Sequence, residues 1–114
     1  MANNGHLTVH VLDTATGRPA EGLSLSLLRI EPSGSRLLGT WKTNADGRCH
    51  NPLLSSDALT TGTFEIVFDI GAWRVGDPGF YDLIPIRFKI VDPEAHTHIP
   101  LLLSPYGYTT YRGS

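Results

Sequence analysis

The residues of this chain best suited to chemistry are histidines. There are five in 114 residues, and three stand out by their positions. His10 lies in Leu7-Thr8-Val9-His10-Val11-Leu12, where apolar residues alternate, so it falls on the strand face opposite Val9 and Val11. His96 and His98 are two apart, and in an extended segment they point the same way. An imidazole inside an otherwise apolar strand needs polar partners. The plain alternative for each is a surface histidine or one hydrogen-bonded within the core. If they act, two chemistries are open. A His-x-His pair with a distant third histidine is the ligand set of some zinc sites that activate water. A metal-free site would instead use imidazole as general acid and base, since it titrates near neutrality. Spacing does not choose between them.

Arg48 leaves the turn signal Asn44-Ala45-Asp46-Gly47 directly, because Asp-Gly tolerates the positive φ of a tight turn. Its guanidinium is either solvated or a fork for a planar carbonyl or an anionic ring. The last residues, Tyr111-Arg112-Gly113-Ser114, follow an aromatic, β-branched stretch and read as packed rather than frayed. Gly113 permits a close backbone approach, and Ser114 offers a hydroxyl beside a carboxylate. Cys49 is the single cysteine, so no internal disulfide forms; a reducing compartment and an incidental thiol are expected.

Short strands must position these groups. Alternation predicts strands at Leu7 to Leu12, Leu23 to Ile30, Leu37 to Thr43, Thr63 to Asp69 and Ile84 to Val91. Two more flank Ser104-Pro105, at Ile99 to Leu103 and Tyr106 to Tyr111. Gly71 to Gly79 fits a short helix or an irregular connection. Trp41 and Trp73 read as core or interface. Tyr106, Tyr108 and Tyr111 read as strand aromatics, able to cover a partner subunit where they face outward. No window holds a sustained 3.6-residue period. Seven or so strands between Gly, Pro, Asp and Asn turns predict a β-sandwich.

The composition agrees. With 40% hydrophobic and 18% charged residues, the chain is globular rather than disordered. Residues 1–114 read as one domain. A net charge of −2 without a like-charge block gives no electrostatic basis for nucleic-acid or acidic-membrane binding. The first six residues lack the basic and apolar regions of a secretory signal, and no apolar run approaches the roughly 18 residues of a membrane span.

Four stretches together resemble the 5-hydroxyisourate hydrolases, the enzymatic branch of the transthyretin-like proteins. They are Val9-His10-Val11-Leu12-Asp13 with Gly17-Arg18-Pro19-Ala20; Thr43 through Arg48; His98 through Tyr108; and Tyr111-Arg112-Gly113-Ser114. The last two are the specific ones. The resemblance runs from about Leu7 to Ser114. It implies an all-β, two-sheet sandwich of about eight strands, with one short helix around Ala72 to Gly76. It implies a homotetramer, a dimer of dimers, whose clefts are completed by neighbouring subunits. It implies hydrolysis of 5-hydroxyisourate in urate degradation, with no metal or other cofactor; the single cysteine and the missing signal lead us to expect the cytoplasm. His10 and His98 would position and deprotonate water, Arg48 would bind substrate carbonyls, and Tyr111 and Ser114 would orient ring or water. A transthyretin-type carrier of small molecules is the alternative. Two departures stand out: Thr97 where the family commonly has Tyr, and Cys49 where a less reactive residue is expected.

Overall fold

The structure, a computed structural model, describes residues 5–74 and 79–114. Among these residues nine strands form two sheets: β1 His6–Asp13, β2 Arg18–Pro19, β3 Ser24–Glu31, β4 Gly34–Lys42, β5 Leu54–Ser55, β6 Gly62–Asp69, β7 Leu83–Ile90, β8 Thr97–Ser104 and β9 Gly107–Thr110. The first sheet runs β2-β1-β8-β9, with β5 also paired to β1; the second runs β4-β3-β6-β7. The sandwich is the fold that alternation predicts. The two strands it missed, β2 and β5, are two residues each, too short for a period to register.

The core is what alternation selects. Leu7, Val9 and Val11 of β1 and Ile99, Leu101 and Leu103 of β8 are buried against Leu25, Leu27, Phe64, Ile66, Phe68, Ile84 and Ile90 of the second sheet. Burying such side chains stabilises the sandwich by about 1.5–3 kcal/mol each before entropy is counted. Trp41 and Trp73 pack on its margin, as half-buried residues. Trp73 belongs to the single α-helical turn α1, Ile70–Trp73, which Asp69 caps by accepting the Ala72 N–H at 3.1 Å. The helix follows β6 as the resemblance implies; residues 75 and 76 of its expected span lie outside the described residues.

Two features of the first sheet shape its outer face. β1 and β8 are parallel, with Thr8 opposite His98 and His10 opposite Pro100, although about ninety residues separate them in sequence. Their other pairings are antiparallel. Then Pro100 interrupts the β8–β9 ladder. It has no N–H to give, and the Thr110 hydroxyl donates to its carbonyl at 2.8 Å. Strand β9 therefore ends at Thr110, and pairing resumes at His98 and Gly113, where the Gly113 N–H donates to the His98 carbonyl at 2.8 Å. Tyr111 and Arg112 sit in the gap.

Candidate active site

The outer face of the first sheet carries the residues that the inner face cannot. Thr8 and His10 on β1 and His98 on β8 alternate with buried Leu7, Val9, Ile99 and Thr97. Arg48 arrives from the side. The Asn44 side chain accepts the Asp46 and Arg48 N–H groups at 2.9 and 3.2 Å, and the Gly47 N–H returns to the Asn44 carbonyl. This turn hangs on β1, because the Gly47 carbonyl accepts the Val11 N–H at 2.8 Å. Gly47 has φ +73°, and a Cβ there would stand 2.3 Å from the Val11 carbonyl oxygen. Only glycine lets the turn sit this close, and the closeness brings Arg48 beside His10.

A cavity of about 270 Å³ opens here, lined by Thr8, Arg48, Asn51, His96, His98 and Ser114 among others. The His98 ring is clamped on two edges. Nδ1 lies 2.8 Å from the Thr8 hydroxyl. On the opposite edge, Cδ2 is so near Gly113 that a Cβ would stand 2.6 Å from it. One clamp comes from β1 and the other from the returning chain end, on either side of β8. The remaining nitrogen, Nε2, is therefore at the free end of the ring. Gly113 does permit a close approach, and what it approaches is this histidine.

The electrostatics arise from the crowding. Partial burial, the Arg48 charge and the neighbouring His96 and His10 all hold the His98 imidazole below its ordinary pKa of 6.5. Burial and then Arg48 lower His10 as well, opposed by a hydrogen bond to the Asp46 backbone and by the Asp46 carboxylate. Both imidazoles are thus neutral at neutral pH, with a lone pair available to a proton. Burial pushes the Cys49 thiol up, so it stays protonated in the cavity wall. Among the described residues, no three or more His, Cys, Asp or Glu side chains are arranged to hold a metal ion.

Of the residues singled out from sequence, His98, Arg48 and Ser114 meet at this cavity, and His10 stands within electrostatic reach of Arg48 and His98. Tyr111 does not join them within one chain. It lines a second cavity of about 230 Å³ with Ile86, Phe88, Ile99 and Arg112, because the Pro100 gap releases it from the ladder. Thr8 and Asn51 were missed. Thr8 shares the His10 face by simple alternation, so its position was readable though its partner was not. Asn51 lies in an irregular segment with no periodic signal.

This fold and site define a two-sheet β-sandwich with a polar histidine–arginine cleft on the outer face of one sheet. Residues 7–113 match the HIUase/Transthyretin family, and the chain belongs to it. It is 50% identical to 5-hydroxyisourate hydrolase 2 of Rhizobium meliloti (strain 1021), with all of both chains covered. Among solved structures it resembles the 5-hydroxyisourate hydrolase of Klebsiella pneumoniae, with a TM-score of 0.83 and 37% identity over 96% of this chain and 99% of that one. It also resembles an (S)-allantoin synthase, with a TM-score of 0.88 and 42% identity over 97% of this chain. The chain spans 44% of that protein's length.

Proposed function

We propose that this chain hydrolyses 5-hydroxyisourate to 2-oxo-4-hydroxy-4-carboxy-5-ureidoimidazoline, a step of urate degradation. The observation that carries the reading is the meeting of His98, Arg48 and Ser114 at one small cleft, with His10 within electrostatic reach and both imidazoles held below their ordinary pKa. Full-length similarity to hydrolases of that name supports it.

In this reading Arg48 binds the substrate carbonyls through its planar fork. His10 and His98 hold a water between them. His98 Nε2 takes one proton from that water, and the remaining hydroxide attacks a ring carbonyl. Negative charge gathers on the carbonyl oxygen, where Arg48 offsets it. The ring C–N bond then breaks, and the departing nitrogen takes the proton from the His98 imidazolium. Ser114 orients ring or water from the cleft wall. Tyr111 acts on the cleft of a neighbouring copy, since within its own chain it faces another cavity. The active form is a homotetramer, a dimer of dimers, working in the cytoplasm without a metal. No described helix is long and apolar enough to cross a membrane.

A carrier would need an apolar channel; the walls here carry Thr8, Arg48, Asn51, His96 and His98. The decisive assay is the ultraviolet decay of freshly made 5-hydroxyisourate with and without the protein, chelator present. Accelerated decay is expected. Folded protein that leaves the spontaneous rate unchanged would overturn the hydrolase and return the carrier. Gel filtration giving a stable monomer would remove the shared cleft.

A further inference from the structure

One side chain in the cleft is placed to decide which His98 nitrogen carries the proton. The Thr8 hydroxyl lies 2.8 Å from His98 Nδ1 and also 2.8 Å from His96 Nε2. A hydroxyl has one proton to donate and can accept from the other side. A neutral imidazole likewise has one N–H and one lone pair. The two contacts are therefore coupled. If the Thr8 proton points to His96, its oxygen is left to accept from His98, and His98 must be protonated at Nδ1. That arrangement puts the His98 lone pair at Nε2, the end of the ring that Thr8 and Gly113 leave free. If the hydroxyl turns round, His98 carries its proton at Nε2 and presents no base to the cleft.

We propose that Thr8 and His96 are positioning residues for the hydrolysis, with Thr8 donating to His96 Nε2 and accepting from His98 Nδ1, so that His98 is held in the tautomer whose Nε2 can take a proton. The inference rests on His98 being the base proposed above. His96 gains a part that its sequence position alone did not reveal: it is the acceptor that keeps the Thr8 hydroxyl turned the right way. The ring-to-ring spacing fits, with His96 and His98 centroids 5.9 Å apart, and the His6 ring lies near-perpendicular to His96 at 6.1 Å, further defining where that ring stands.

The test reads the proton directly. Ring ¹⁵N chemical shifts of His98 are recorded in the free protein, above the titration of its imidazole, for wild type, Thr8→Val, Thr8→Ser and His96→Phe. Valine keeps the β-branched shape of a strand residue, so the sandwich is retained. In wild type His98 is expected as the Nδ1–H tautomer. In Thr8→Val and His96→Phe the Nε2–H form grows. The kcat of Thr8→Val falls about ten-fold or more, a modest share of what a wrong tautomer can cost, while KM stays within about two-fold. Thr8→Ser restores both tautomer and kcat. A wild-type His98 protonated at Nε2 would overturn the proposal, as would a Thr8→Val protein with unchanged tautomer and kcat. The spectra need no substrate, so they decide the tautomer even if the hydrolase reading fails separately in the decay assay.

Discussion

The two sheets of this sandwich are built from the same alternation and used differently. The second sheet pairs β3 with β4 through a two-residue turn and runs antiparallel throughout. Its outer face carries ordinary cross-strand chemistry, such as Glu65 opposite Arg87 with a 3.1 Å ion pair, exposed and worth little to stability. The first sheet is irregular. Its centre is a parallel pair that joins the beginning of the chain to its end. A proline stands in a central strand, and two of its five strands are only two residues long. The irregular sheet carries the candidate site. Parallel pairing places Thr8 beside His98, and the Pro100 gap brings the chain back at Gly113 to grip the same ring. A sheet of hairpins would join only sequence neighbours.

If this division is right, damage to each sheet should have a different signature. The largest effect on stability is expected from Phe68→Ala, which empties a fully buried site in the second sheet. It should cost about 3–5 kcal/mol, measured by denaturant unfolding, while the molecules that remain folded keep their turnover. Turnover lost in step with stability would break the division. A smaller change in the first sheet should do the reverse. Gly113→Ala adds one methyl 2.6 Å from His98 Cδ2. Its melting temperature should change little, and activity should fall roughly ten-fold or more as the ring is pushed from its place. Unchanged activity would mean that the Gly113 contact does not position His98.

The smallest effect sharpens the electrostatic side. Arg48 lowers the pKa of both His10 and His98. Removing its charge in Arg48→Gln should let both titrations move up towards 6.5, read from the ring protons by NMR. With His98 as the proposed base, its neutral form is the active one, so kcat/KM should fall as pH drops through the lowered value. The residual activity of Arg48→Gln should fall at a higher pH. Midpoints that stay put would remove Arg48 from the electrostatics of the site.

Much of the fold and part of the cleft are legible in the sequence. Alternation places His10 opposite Val9 and Val11, and the Asp-Gly turn marks where Arg48 leaves the loop. The family resemblance joins them to His98 and Ser114. What alternation cannot supply is the partner strand. It gives the face of a residue but not its register, so the meeting of Thr8 with His98 and His96 is invisible to it. Tyr111 shows the converse. The family resemblance places it with the cleft residues, but Pro100 removes the ladder bond opposite it and the side chain lines a different cavity. The helix is ambiguous in sequence because Ile70–Trp73 is one turn, shorter than a helical period needs, and depends on the Asp69 cap for definition.

Catalysis on the outer face of the first sheet stands or falls with His98 as its base. The most direct measurement is the rate of 5-hydroxyisourate decay with His98→Ala, compared with wild type at equal concentrations of protein shown to be folded by circular dichroism. A loss of about a hundred-fold or more is expected from removing a general base, with the melting temperature nearly unchanged because the ring is only half-buried. A folded His98→Ala protein with near-native turnover would rule out this histidine as the base and the cleft as built around it.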